Sequence, residues 1–170
     1  MSVRIQEFPG TPLHDDDIRS GRVLSIPGSA GAEYSWDVGI AMERYLAELK
    51  NGRLVGLRCH HCGRVLLPPR AFCEQCFQPT SEWVTLSDTG VIQTFAICHI
   101  AWDARRIDQP KIPAVIAIDG ASRNMGLLHP IGGVAPDRVA VGQRVRAAWR
   151  PAAERQGSIT DILYFTPMEK

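Results

Sequence analysis

The chain has 170 residues, of which 45% are hydrophobic and 22% charged, so it can bury a core and wholesale disorder is excluded. Its formal net charge is +1, which argues against a dedicated nucleic-acid-binding protein because such proteins usually carry a basic face. No run of residues approaches the ~18 apolar positions of a membrane span, and the first residues lack the apolar part of a secretory signal, so a cytoplasmic protein is expected.

Residues 1–33 are predicted to form an extended N-terminal arm. Prolines and glycines recur in this segment, an acidic run occupies residues 15–17, and no hydrophobic period continues through it. The alternative is an arm that becomes ordered only against a partner.

Residues 34–52 are predicted to contain an amphipathic helix. Apolar residues recur at spacings of three, four and seven between residues 36 and 50, and charged residues fill the opposite face. Ser35 is the expected N-cap, and Asn51-Gly52 is the expected end. The apolar face is expected to cover the chain's own core, and docking onto another subunit is the alternative.

Four of the five cysteines form two CxxC pairs that are separated by ten residues: Cys59, Cys62, Cys73 and Cys76. Each CxxC makes a tight turn that directs two sulfurs to one ion, and two such turns supply the four thiolates of a tetrahedral zinc site. In a reducing compartment, clustered cysteines bind metal more often than they form disulfides. The sequence therefore predicts a zinc ribbon over residues 53–80.

Cysteine takes all four ligand positions, so the predicted site has no place for a reacting water and its role is structural. Iron in a rubredoxin-like role is the alternative to zinc. Gly63 follows the first pair, where a residue that tolerates positive φ is needed, whereas Phe77 follows the second. The second turn is therefore expected to be slightly looser. His60 and His61, inside the first pair, are expected to be solvated.

Residues 81–170 are predicted to form five or six short strands without intervening helices, which is typical of a small β-barrel or sandwich. The expected strands are residues 82–86, 91–100, 114–118, 124–128, 143–149 and 159–165.

No catalytic residue is predicted. Cys98 is expected to be a buried structural thiol, since the adjacent His99 points to the opposite face of a strand. A long loop between the second and third of these strands carries cations that can meet phosphate groups, so three residues are candidates for cofactor binding. They are Arg105, Arg106 and Lys111.

The order of these parts resembles a known family. Residues 56–63 read GLRCHHCG, residues 67–76 read LPPRAFCEQC, and FTP follows at 165–167. Over about residues 34–167 the chain resembles the acyl-CoA-associated zinc-ribbon/OB-fold family, first catalogued as domain of unknown function 35. It departs from the family's usual pattern at Glu74, where proline is common, and at Phe77, where glycine is common.

The resemblance implies a mainly β protein with an N-terminal helix, a rubredoxin-like zinc ribbon and a C-terminal five-stranded OB-fold barrel at 81–170. It implies that the four clustered cysteines hold structural zinc. It also implies an accessory subunit, within a hetero-oligomer, of a thiolase-superfamily enzyme or a hotdog-fold enoyl-CoA hydratase, which helps to bind acyl-CoA in lipid, sterol or polyketide-like metabolism. Single-stranded nucleic-acid binding and acyl transfer through Cys98 are the alternatives.

Overall fold

The structure, a computed structural model, describes residues 13–26, 28, 31, 35–101 and 103–168. Its contacts divide the chain into two units, Met1–Trp36 and Asp37–Lys170. The first unit contains helix α1 (Asp15–Arg19), so five residues of the segment predicted as an extended arm are helical. Three acidic residues in its first turn and ion pairs from Arg19 favour this helix. The rest of the predicted arm lies largely outside the described residues.

The second unit consists of helix α2 (Gly39–Lys50) and two β-sheets. The three-stranded sheet has the order β2-β1-β3 and comprises β1 (Leu54–Cys59), β2 (Val65–Leu66) and β3 (Thr80–Leu86). The second sheet comprises β4 (Thr89–Phe95), β5 (Cys98–Ile100), β6 (Arg106–Ile118), β7 (Gly126–Ile131), β8 (Arg144–Trp149) and β9 (Ile162–Pro167). Short 3-10 helices occupy Pro136–Arg138, Ala152–Glu154 and Ile159–Asp161. Of the helices formed by described residues, none has the length and apolarity to cross a membrane.

The predicted amphipathic helix is confirmed, but it begins later in the sequence than predicted. Ser35 is not the N-cap; the helix begins at Gly39, whose φ of 73° separates it from the residues before it. The Asp37 carboxylate accepts a hydrogen bond from the Gly39 N–H at 2.7 Å. The predicted end is confirmed, with Asn51 as C-cap and Gly52 at a φ of 72°.

Helix α2 covers the core of its own chain, as expected from its apolar face. Tyr45 and Leu49 are fully buried, and Met42 and Leu46 pack against the same core. On the neighbouring face, the Arg44 guanidinium lies 4.5 Å from the centre of the Trp83 ring of β3.

The second sheet closes into the five-stranded barrel that the resemblance implies. Its order is β4-β8-β9-β7-β6, and a further pairing of β6 with β4 completes the ring. The β7–β9 pair is parallel and the other pairs are antiparallel. The closed barrel leaves no free edge among these five strands, and β5 pairs with the outer end of β6.

Two strands are longer than the sequence predicts. The expected exposed connection ahead of Pro113 is instead the first half of β6, which pairs with β5 as a hairpin. Strand β7 continues through His129 and Pro130 rather than ending before them. Pro113 and Pro130 lie opposite each other, and since neither can donate, the pair occupies a position where no N–H bond is exchanged. The last predicted strand is shorter, because residues 159–161 form a 3-10 helix.

Barrel closure requires glycine at residue 90. A Cβ there would overlap the carbonyl oxygen of Ala117 on β6. We expect Gly90→Ala to lower the free energy of unfolding by roughly 2–3 kcal/mol, because the two strands must separate to admit it. Urea unfolding measures this. Gly28→Ala, where nothing lies within 4 Å of the added atom, is the control; equal effects of the two substitutions would contradict the prediction.

Candidate metal centre

The four cysteines of the two CxxC pairs converge on one point. Their sulfur atoms all lie within 4.8 Å of one another, with Cys59 and Cys76 3.4 Å apart and Cys62 and Cys73 3.6 Å apart. Four sulfurs at the Zn–S distance of ~2.3 Å in a tetrahedron stand about 3.8 Å apart. The donor set and its spacing therefore fit a zinc ion.

The two CxxC turns have the same backbone hydrogen bonds. Gly63 N–H donates to the Cys59 carbonyl at 2.9 Å, and Phe77 N–H donates to the Cys73 carbonyl at 2.8 Å. The φ angles are 73° at Gly63 and 53° at Phe77, so both residues are left-handed. The prediction of a looser second turn is therefore wrong, because its backbone hydrogen bond is as short as that of the first turn. Phe77 does, however, adopt a left-handed backbone conformation, which is sterically unfavourable for any residue with a Cβ atom.

This comparison predicts opposite effects of substitution at equivalent positions. We expect Phe77→Gly to raise the free energy of unfolding by about 1 kcal/mol, since glycine adopts positive φ without steric cost. Gly63→Ala should lower it by about as much, because no atom lies within 4 Å of the added Cβ and only the backbone is penalised. Thermal unfolding of the zinc-loaded protein measures both. The same sign for both substitutions would refute this reasoning.

Backbone donors and burial distribute charge unevenly over the four sulfurs. The backbone N–H of Cys62 lowers the pKa of Cys59 to about 6. Burial, together with the hydrogen bond to Cys59, raises the pKa of Cys76 to about 12. Adjacent thiolates repel each other, and a divalent cation between them removes this repulsion. The cluster is thus suited to binding a divalent cation.

An ion pair connects the two turns outside the sulfur cluster. The Arg64 guanidinium lies 3.0 Å from the Glu74 carboxylate, and Arg70 approaches the same carboxylate to 3.6 Å. Glu74, which departs from the family's usual proline, thus links both sides of the ribbon. His60 and His61 are exposed as expected, and His60 Nε2 lies 2.8 Å from the Ser81 hydroxyl.

The prediction that Cys98 is buried is wrong. It is half-buried on β5, opposite Lys111 of β6, and lines a cavity of about 400 Å³. The reason is that β5 pairs only with the outer end of β6, so the barrel core does not cover it. Ile107 and Pro113 supply further apolar walls of this cavity.

The three candidate cations have different surroundings. Arg105 is exposed and paired with Asp103, with Nε 2.6 Å from the carboxylate, and this hydrogen bond holds the pKa of Asp103 below its usual range. Arg106 and Lys111 are exposed on β6, and Lys111 lines the cavity beside Cys98. The structure thus brings Lys111, and not Arg105, to that cavity.

Two buried polar residues were not foreseen from the sequence. His129 Nε2 donates to the Ile162 carbonyl at 2.7 Å, and burial lowers the pKa of its imidazole. The Asp161 carboxylate accepts the backbone N–H groups of residues 156–158 at 2.7–3.0 Å. The signal for Asp161 is the Ser158-x-x-Asp161 spacing, a capping box. Both residues hold β9 and the loop before it in place.

Comparison with known proteins follows the same division into ribbon and barrel. The rubredoxin-like zinc ribbon domain of ChsH2 matches residues 46–81, and the C-terminal OB-fold domain of ChsH2 matches residues 83–150. A DUF35 domain-containing scaffold protein of Methanocaldococcus jannaschii is 32% identical over 119 residues, which cover 68% of this chain and 82% of that protein. The chain belongs to the DUF35 family.

Other members and fold relatives extend this comparison. A probable enoyl-CoA hydratase alpha subunit of Thermomonospora curvata is 27% identical over 105 residues, 61% of this chain but 31% of that protein. A DUF35 protein of Sulfolobus solfataricus has 26% identity and a TM-score of 0.55, covering 64% of this chain and 78% of that one. The Ltp2-ChsH2(DUF35) aldolase has 21% identity and a TM-score of 0.55, covering 74% and 92%; this is a likeness of fold.

Proposed function

We propose that this DUF35 protein is a non-catalytic accessory or scaffolding subunit. It associates with a thiolase-superfamily enzyme (thiolase, thiolase-like aldolase or synthase) or a hotdog-fold enoyl-CoA hydratase, and it helps to bind acyl-CoA. The observation that carries this proposal is the match to 82% of the length of a protein described as a scaffold. The likeness to a probable hydratase subunit, and the shared fold with a chain of an aldolase complex, support the two partner classes.

The proposed metal is structural zinc held by the four cysteines of the CxxC turns. Bound there, zinc neutralises the thiolates and ties the end of β1 to the loop before β3. The proposed domains are an arm at 1–33, the helix at 34–52, the ribbon at 53–80 and the barrel at 81–170. The family matches at 46–81 and 83–150 support the division between ribbon and barrel.

The proposed acyl-CoA contact is the outer end of the β5–β6 hairpin. Exposed Arg106 and Lys111 offer positive charge for phosphate groups, and the apolar cavity beside Lys111 offers space for an aliphatic segment. Arg105 contributes less because Asp103 already pairs with it. The proposed location is the cytoplasm.

Single-stranded nucleic-acid binding, the alternative raised by the OB-fold, needs free cations beside stacking aromatics. Two cations on β8 are instead paired with carboxylates: Arg144 with Asp119 at 2.6 Å and Arg146 with Asp88 at 3.8 Å. We therefore favour a protein partner.

Affinity purification from the source cells, with mass spectrometry of what co-purifies, tests the partner class. We expect a thiolase-like or hydratase-like subunit in amounts comparable to this chain. Recovery dominated by single-stranded nucleic acid, lost steeply with added salt, would support the alternative instead.

A further inference from the structure

A cavity of about 310 Å³ lies between the ribbon and the loop that joins β6 to β7. The ribbon contributes Arg64, which follows the first CxxC turn, and Gln75, which lies inside the second. The loop contributes Ser122, Arg123 and Asn124. All of these described lining residues are polar and two are arginines, whereas the cavity beside β5 has mainly apolar walls. The cavity is therefore suited to a charged ligand.

Two hydrogen bonds fix this loop to β2, at the edge of the ribbon sheet. The Ser122 hydroxyl accepts the Val65 N–H at 2.9 Å, and the Ser122 N–H donates to the Val65 carbonyl at 3.1 Å. The Met125 N–H donates to the Ser122 carbonyl at 3.0 Å, and Asn124 has a φ of 64°, a conformation in which asparagine is enriched. Residues 122–125 thus form a tight turn, and backbone contacts set the shape of the cavity.

Positive charge exceeds negative charge at this cavity. The Arg64 side chain is 16% exposed and pairs with the Glu74 carboxylate, which Arg70 also approaches. Arg123 is exposed, and its guanidinium has no ion pair or hydrogen bond with any residue that the structure describes. Of the described lining residues, none is acidic. Three arginines against one glutamate leave two positive charges uncompensated, which matches the charge of a dianion.

We propose that this cavity binds a phosphate dianion, either free or as the terminal group of a phosphomonoester, between Arg64 of the ribbon and Arg123 of the loop. Guanidinium groups match phosphate oxygens in charge and in the spacing of their N–H donors. The amides of Gln75 and Asn124 add neutral hydrogen-bonding groups at the same cavity.

This site goes beyond the proposed function. It follows the C-terminal end of β6, whereas the proposed acyl-CoA contact lies at the outer, N-terminal end of the same strand, and the two cavities share no lining residue. Its test needs neither a partner enzyme nor acyl-CoA, so its failure would leave the proposed function standing.

The test is a titration of the zinc-loaded full chain with inorganic phosphate and, separately, with ribose 5-phosphate, followed by NMR of the backbone amides. The titrations are made at constant ionic strength and about pH 7.5, where phosphate groups are mainly dianions. We expect saturable shifts of Arg64 and of residues 122–125 at millimolar phosphate, and no saturable shift with chloride. Tighter binding of ribose 5-phosphate would identify a phosphomonoester as the ligand, and equal or weaker binding would identify free phosphate. No saturable shift with either compound would overturn the proposal.

Substitution of the free arginine tests the role of its charge. We expect Arg123→Gln to weaken phosphate binding about ten-fold, because a charge-assisted contact is lost. Arg138→Gln is the matched control and should leave binding unchanged. Arg138 is also exposed and has no ion pair with any described residue, but it does not line the cavity. Unchanged affinity of Arg123→Gln, or an equal loss in Arg138→Gln, would overturn the proposal.

A third variant separates charge from shape. Arg123→Lys keeps the positive charge but loses the planar pair of donors, so we expect its affinity for phosphate to fall about three-fold, between those of the unsubstituted chain and Arg123→Gln. Circular dichroism checks that each variant is folded. A folded Arg123→Lys variant that binds no better than Arg123→Gln would contradict a site built on this charge.

Discussion

Replacing Cys73 by serine is expected to abolish zinc binding and to unfold the ribbon. The four sulfurs converge on one site, and a hydroxyl is a poor substitute for a thiolate ligand of zinc. The sheet that the site supports has little strength of its own, since β2 is only two residues long. In structural zinc sites the binding free energy of the metal is about 10–16 kcal/mol, and it contributes directly to folding. We therefore expect so small a sheet to unfold when the metal is lost.

The measurement combines zinc content by elemental analysis with thermal unfolding. Cys98→Ser is the matched control, because Cys98 lies on β5 and is not part of the sulfur cluster. We expect one zinc per chain and an unchanged midpoint for Cys98→Ser. Zinc retained by Cys73→Ser with a normal midpoint would contradict the four-cysteine assignment. A strong chelator at neutral pH should reproduce the Cys73→Ser phenotype in the unsubstituted protein.

Asp161→Asn is expected to lower the free energy of unfolding by about 3 kcal/mol. The carboxylate is buried at 1% exposure and accepts three backbone N–H groups. Asparagine keeps one acceptor oxygen, so only part of this set is lost, and each lost hydrogen bond to a charged group is worth about 1.5–3 kcal/mol. An amide in its place turns an NH₂ toward these donors. The exposed Asp137→Asn is the control and should change stability by less than about 0.5 kcal/mol.

The same carboxylate gives a pH dependence of defined sign. Burial by itself raises the pKa of Asp161, but the backbone donors outweigh it, so the pKa lies below 3.8, the usual value of an aspartate. The unfolded chain therefore takes up the proton first, and the contribution is complete above pH 3.8 and lost as the pH falls through the lowered pKa. The difference in stability between Asp161→Asn and Asp137→Asn should shrink on acidification. A constant difference from neutral pH to pH 3 would refute this.

What the sequence predicted well depends on local chemistry. The CxxC pairs bring two sulfurs together within one turn, so their spacing already indicated a shared site. The end of α2 was equally readable, because Gly52 adopts the positive φ that ends a helix. The apolar period of α2 identified the face that the core now covers.

What the sequence did not predict depends on turn geometry and strand pairing, which hydrophobic periodicity does not reveal. Ser35 fits the composition of an N-cap, but Gly39 starts the helix four residues later. The β5–β6 hairpin extends past the barrel, so Cys98 stays half-exposed despite its apolar neighbours. The Asp161 carboxylate accepts N–H groups of residues three to five positions before it, in a loop that has no hydrophobic period. Turn geometry thus decides the start of α2 and the role of Asp161, and strand pairing decides the exposure of Cys98.

We propose that this chain works as an accessory subunit of a thiolase-like or hydratase-like enzyme. The measurement is size-exclusion chromatography with light scattering of the purified, zinc-loaded chain mixed at micromolar concentration with a thiolase-like or hydratase-like protein from the same source. We expect a single complex that contains both chains, with a higher unfolding midpoint than either alone. Separate elution of the two proteins, with no mutual effect on stability or activity, would contradict it.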